Sequence, residues 1–155
     1  MDEIVSVTSR SVDRALDEGL SHFDEGRYEE ALAVFEKALK RLGPQMDLYH
    51  WKGIALRHLG RLNEALRALE ISAKSESPEG SVYELAVLLC DENLDPPRGK
   101  RLLTELSDKG DLPAREYLAH RAYEDGRFAD VVELARLPSW ILHHLWLYPL
   151  PEKCT

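Results

Sequence analysis

Six histidines, two cysteines and 28 carboxylates are the side chains from which a reaction or a metal site would have to be assembled. His50 and His58 share one helical face through a spacing of eight, with Ile54 between them. Two turns of helix separate such a pair by roughly 12 Å, too far to share a metal ion. His143 and His144 are neighbours in sequence and diverge around a helix. Cys90 closes the apolar stretch that begins at Leu85 and reads as a small buried residue, whereas Cys154 has only Lys153 beside it, which hardly activates a thiol. Two cysteines cannot build a disulfide framework or a zinc quartet. The chain has no Gly-x-Ser-x-Gly elbow, no Gly-rich phosphate loop followed by Lys and no His-Glu-x-x-His. Glu84 and Glu116 stand alone and read as solvated or ligand-facing charges rather than general bases. No catalytic residue, metal site or cofactor is expected, and the question becomes what such a chain binds.

Bulk properties narrow the partner. With 155 residues, 44% of them apolar and 31% charged, the chain suits a single domain, residues 1–155, that buries a core. A net charge of −8 opposes nucleic acid, whose affinity rests largely on Lys and Arg displacing counterions, and favours an apolar or basic polypeptide. The longest strongly apolar run, Trp140 to Tyr148, is far shorter than the roughly 20 residues a bilayer requires, so no membrane insertion is expected. Residues 1–20 lack a basic head followed by an apolar stretch, which makes a cytoplasmic location the expectation.

The elements that would position a binding surface announce themselves by repetition. Gly19 and Gly53, Gly26 and Gly60, Ala31 and Ala65, Tyr28 and Leu62, and Phe35 and Leu69 all lie 34 residues apart. The turn Gly-Arg-Tyr-Glu-Glu-Ala-Leu at residue 26 returns as Gly-Arg-Leu-Asn-Glu-Ala-Leu at residue 60, and again, weakened, as Gly126-Arg127-Phe128-Ala129-Asp130-Val131. Small residues at Gly19 and Gly53 let one helix approach another closely, and Ala31 and Ala65 do the same from the other side. Glycine at the turn supplies the left-handed conformation that ends a helix, and Pro44 and Pro78, also 34 apart, punctuate the repeats.

This spacing resembles the tetratricopeptide repeat, with a small residue midway along a first helix, Gly-x-Tyr at the turn, and Ala, Phe and Ala down a second. The resemblance implies an all-α, right-handed solenoid of about four stacked helical hairpins, at 12–45, 46–79, 80–111 and 112–138, followed by an apolar capping helix at 139–148. The third repeat is degenerate, with Val87 at the small first-helix position and Leu94-Asp95-Pro96-Pro97 replacing Gly-x-Tyr, although Gly99 keeps the small second-helix position. Residues 110–126 are also similar to a Sel1-like repeat. At most nine helices are expected, at about 11–25, 28–42, 45–59, 62–75, 79–92, 97–109, 113–125, 127–137 and 139–148, with residues 1–10 and the tail from Pro149 loose.

In such repeats the first helices line a concave groove. The resemblance places Leu16, Leu20 and Phe23 of repeat one there, with His50, Ile54, Arg57 and His58 of repeat two, Glu84, Leu88, Asp91 and Glu92 of repeat three, and Glu116, His120 and Tyr123 of repeat four. One end is expected to be greasy and the other acidic, because residues 79–126 hold 11 acids against 6 bases. Alternatively, Ile4, Val5 and Val7 fold back over the apolar end. A subset of the family holds chaperone C-termini through Lys, Asn and Arg, but Leu16, Leu20, Trp51, Ser81 and Leu85 stand at those positions, so that role is not expected. The leading expectation is a non-catalytic adaptor or scaffold that binds a peptide or helix. The alternative is a dedicated chaperone similar to the small acidic repeat chaperones of bacterial secretion systems, although those carry a longer N-terminal helix. The helix at 139–148 is apolar nearly all round, which suggests that Trp140, Leu142 and Trp146 also meet a client or a second copy of the chain.

Overall fold

The computed structural model describes residues 2–127 together with 130, 131 and 134, with side chains from residue 9 onward. Among the described residues seven helices are delimited, in order: α1 (Asp2–Asp24), α2 (Tyr28–Leu42), α3 (Met46–His58), α4 (Leu62–Ser72), α5 (Glu79–Asp91), α6 (Pro96–Asp108) and α7 (Leu112–Glu124). Among the described residues there is no strand. The expected helices at 127–137 and 139–148, with Trp140, Leu142 and Trp146, lie wholly or largely outside the described residues. The chain divides into two compact units, residues 1–102 and 103–155.

Antiparallel helices pack closely where one of them offers a hydrogen instead of a side chain. At Gly53 of α3, a Cβ atom would sit 2.7 Å from Leu69 Cγ of α4. Gly19, one period earlier, lies directly under the Phe35 ring of α2. In the degenerate third repeat, a Cβ on Gly99 of α6 would meet Cys90 Sγ at 2.6 Å and the Ala86 carbonyl at 2.7 Å. Ala31, Phe35, Ala65 and Leu69, the second-helix residues of the repeat, are completely buried.

The turns also repeat as structure. Gly26 and Gly60 take φ of 74° and 72°, and each closes the preceding helix with two backbone bonds: Gly26 N–H to Phe23 and Arg27 N–H to His22, both 2.9 Å, then Gly60 N–H to Arg57 at 3.0 Å and Arg61 N–H to Leu56 at 2.9 Å. Asn93 performs the same turn in the third repeat, at φ 52°, with Asn93 N–H bonded to Cys90 and Leu94 N–H to Leu89. Asn tolerates this conformation because its short polar side chain leaves less steric conflict than a branched one. Asp95 then accepts from Arg98 N–H at 3.1 Å and starts α6 at Pro96, where proline needs no partner for its nitrogen.

Within residues 1–102, α3 packs against α1 on one side and α5 on the other, with α2 and α4 against them as the second members of their hairpins. Two apolar clusters fill the interior. Val12, Ala15, Ala31, Phe35, Ala38 and Leu48 form the first. The second is built on Leu32, Leu56, Leu69, Leu85, Leu88 and Leu89, and Phe23 packs against both. In residues 103–155, Leu103 and Leu106 of α6 and Ala114, Ala119 and Ala122 of α7 are buried. Asp111 caps α7 by accepting from Ala114 N–H at 2.8 Å, and Arg115 donates to the Ser107 carbonyl at 3.2 Å.

One boundary needs correction. The sequence reading starts the first helix near residue 11 and leaves residues 1–10 loose or folded back, whereas α1 runs from Asp2 as one continuous helix. Residues 2–10 therefore continue the helix axis instead of reversing along it. Nothing in residues 2–10 breaks a helix: the segment has neither Gly nor Pro.

Candidate functional site

The candidate surface is the layer of first helices α1, α3 and α5. Leu16, Leu20 and Phe23 form a stripe along α1, one turn apart, and all three are half-buried. They are not equivalent. Leu16 packs against the first core cluster, and Phe23 bridges both clusters. Its ring meets Tyr28, Trp51 and His58 edge-on, with centroids 5.0, 5.8 and 5.2 Å away, and His58 stacks on Tyr28 at 4.5 Å. Edge-on aromatic pairs place positive ring edges on negative faces. Phe23 and His58 are therefore committed to the joint between the first two hairpins. Leu20 and Ile54, both half-buried, join neither core cluster.

Charge on this layer is organised by Arg57. Its guanidinium reaches from α3 to α5, with Nη2 2.9 Å from Asp91 Oδ2 and Nη1 3.5 Å from Glu84 Oε2. Burial pushes the Glu84 carboxyl above the usual carboxylate range; Arg57 pulls it down and Asp91 pushes it up. The local excess is one negative charge, less than the sequence alone suggests, because a basic ligand must compete with Arg57 for both carboxylates. Glu92 is exposed beside this group, and Leu88, expected in the groove, is fully buried in the second core cluster. The reason is register: α5 buries Leu85 through Leu89 continuously, so the position that faces the groove in a two-sided helix faces the interior here.

His50 and Ser81 lie 3.0 Å apart, the pairing a nucleophilic hydrolase would use. The hydrogens run the wrong way for that chemistry. Ser72 Oγ donates to the Met46 carbonyl at 2.8 Å, and Ser72 and Ser81 are 2.7 Å apart. A carbonyl cannot donate, so giving each contact its own hydrogen requires Ser81 to donate to Ser72 and His50 Nδ1–H to donate to Ser81. Ser81 is thus the acceptor from His50, not the donor to a base. Burial holds the His50 imidazole below its usual value, with Asp47 pulling the other way. The chain ties the start of α3, the end of α4 and the start of α5 together. Sequence reasoning missed this tie, although Ser72 gave a signal: it continues the buried register Ala65, Ala68, Leu69 of α4, where a polar residue needs a partner.

In the second unit, Glu116 and His120 are exposed on α7 and Tyr123 is half-buried. His120 Nδ1 lies 3.8 Å from Glu124 Oε2. Among the described residues no group of His, Cys, Asp or Glu side chains is arranged to hold a metal ion, and no helix is long and apolar enough to cross a membrane.

Comparison with known proteins agrees with this geometry. Residues 16–81 match the tetratricopeptide repeat family model. The fold is similar to a crystal structure of nearly identical TPR-like repeats from Podosopora anserina, in a protein assigned as a kinesin light chain, with a TM-score of 0.65 at 18% identity, covering 82% of this chain and 72% of that one. No curated protein matches the sequence. The matched segment covers most of the two regular repeats and ends at Ser81, where the degenerate third begins.

Proposed function

We propose that this chain is a non-catalytic protein-binding module, an adaptor or scaffold whose layer of first helices holds a helix or extended peptide of another protein. Tetratricopeptide repeats generally serve protein–protein interaction, and residues 16–81 carry that repeat. The observation that carries the reading is Leu20 and Ile54: two aliphatic side chains on neighbouring first helices that belong to neither core cluster. Beside them, Arg57 with Glu84 and Asp91 supplies hydrogen-bonding groups already oriented by one another. A fitting ligand places an apolar side chain between Leu20 and Ile54 and a polar or basic group near Asp91 and Glu92. Any homo-oligomer through Trp140, Leu142 and Trp146 remains a separate proposal, because those residues lie outside the described ones.

One observation favours the chaperone reading as a second possibility. α1 starts at Asp2, about ten residues before the expected first repeat, so its N-terminal extension is longer than the sequence suggests and supports this reading. The two readings separate by stoichiometry and lifetime, one stable client against several exchanging partners. The test compares proteins co-purifying with the wild-type chain and with Leu20→Ser/Ile54→Ser from lysate of its source, with circular dichroism confirming that both are folded. Loss of a defined partner from the double variant is expected. Retention of the same partners at the same yield would place the site elsewhere.

A further inference from the structure

A second surface lies on the opposite side of the first hairpin. On α2, Leu32 joins the second core cluster and Glu36 pairs with Lys52 of α3 at 2.8 Å, so that side faces the following hairpin. Ala33, Val34, Lys37 and Arg41 project from the other side of α2 by helical phase. On α1, Leu16 and Phe23 face α3, whereas Ser11, Arg14 and Glu18 project away from it. These two outward faces enclose a groove of about 450 Å³. Its floor is small, with Ala15 and Ala38 buried and Ala33 exposed. Its walls carry Arg14, Lys37 and Arg41 against one acid, Glu18.

Two features mark this groove as a docking surface. In a chain of net charge −8, it concentrates three exposed cations around one carboxylate. Those cations make no ion pair among the described residues, whereas Arg57, Arg61, Arg98 and Arg127 all do. It also lies between two packed helices, α1 and α2. On its far side this hairpin packs against α3. On this side, no described element covers the corresponding trough between α1 and α2.

We propose that this groove docks an acidic amphipathic helix of a partner protein, at a site separate from the layer of first helices. Lys37 and Arg41 are one turn apart on α2 and face carboxylates one turn apart on the partner, while Arg14 closes the other wall. The alanine floor accepts a small apolar face of the docked helix, since short side chains on both helices allow close approach. Charge complementarity calls for an acidic partner and disfavours a second copy docked groove to groove, which would bring the same cations together.

The probe is a fluorescein-labelled helical peptide of roughly 18 residues, five turns, with Ala and Leu on one face and Glu pairs at i and i+4 beside it. Fluorescence anisotropy at low ionic strength is expected to show saturable binding, weakened at least about tenfold by Lys37→Glu/Arg41→Glu and by Arg14→Glu, and unchanged by Leu20→Ser/Ile54→Ser. Ala33→Trp, which fills the floor without altering charge, should abolish binding, and it keeps the test open if a charge reversal fails to fold. Equal binding of a peptide of the same composition with its Glu pairs scattered would overturn the proposal, as would unchanged affinity in the charge and Ala33→Trp variants. Concentration-dependent self-association of the wild type in sedimentation, abolished by the same reversals, would also overturn it by naming a second copy as the occupant.

Discussion

Adding one methyl group at Gly53 should destabilise the protein, although the same change usually strengthens a helix. Gly→Ala in a helix interior gains roughly 1 kcal/mol of propensity. Here the new Cβ would stand 2.7 Å from Leu69 Cγ and 2.8 Å from Cδ2, well inside the roughly 3.5–4.0 Å at which carbon atoms attract. Leu69 is completely buried, and its own backbone nitrogen lies 3.4 Å from the new atom, so it has little room to turn away. Overpacking costs about 1–3 kcal/mol; at the upper end the net loss is about 1–2 kcal/mol, lowering Tm by roughly 2–8 °C for a chain of this size. Gly80→Ala is the control: its nearest neighbour is His50 Cε1 at 3.9 Å, so the change should be neutral or stabilising. Thermal melts followed by circular dichroism give the comparison. A sharper arm uses Leu69→Ala, which alone costs about 2–5 kcal/mol. In that background the offending atoms are gone, and Gly53→Ala should become stabilising by about 0.5–1 kcal/mol. Equal destabilisation in both backgrounds would refute the close-contact account.

Other expectations follow from single residues. Nuclear magnetic resonance of the Glu84 carboxyl should show titration above the ordinary value, raised further by Arg57→Ala and lowered by Asp91→Asn. Because its folded-state value lies above the unfolded one, Glu84 contributes stability at low pH that is lost as pH rises through the folded value. His50 has the opposite sign: its value is lowered, so its contribution is full above about 6.5, the ordinary histidine value, and is lost as pH falls through the folded value. Nitrogen shifts of neutral His50 should report the Nδ1–H tautomer, and an Nε2–H tautomer would refute the hydrogen-bond chain through Ser81 and Ser72. At the third turn, Asn93→Gly should be neutral or mildly stabilising and Asn93→Val should cost about 1–2 kcal/mol, read in the same melts.

The regular repeats were legible because their chemistry is local. Gly19 and Gly53 must be small wherever a second helix crosses at contact distance, and their 34-residue spacing carried that requirement into view. Asn93 was harder to read: it supplies the turn that Gly26 and Gly60 supply, but one residue out of phase, so a search for glycine passes over it. The surface was only partly legible. Position within the repeat put Phe23 and Leu88 in the groove together with Leu20 and Ile54, yet Phe23 packs against both clusters and Leu88 is wholly buried. Which apolar side chain is left over depends on what neighbouring helices supply, and that is a tertiary property. The Arg57 bridge was equally hidden, since its cation offsets part of the charge of Glu84 and Asp91 only once the two helices are side by side.

The claim that the layer of first helices receives a protein partner is tested most directly by placing a photoreactive side chain at Ile54 and, separately, at exposed Arg67 of α4, then irradiating in lysate of the source. Ile54 should give an adduct of one discrete mass, competed away by unlabelled wild-type protein and absent when Leu20→Ser is added. Arg67 should give none. A discrete, competable adduct at Arg67 with none at Ile54 would contradict the account and move the binding surface to the second helices.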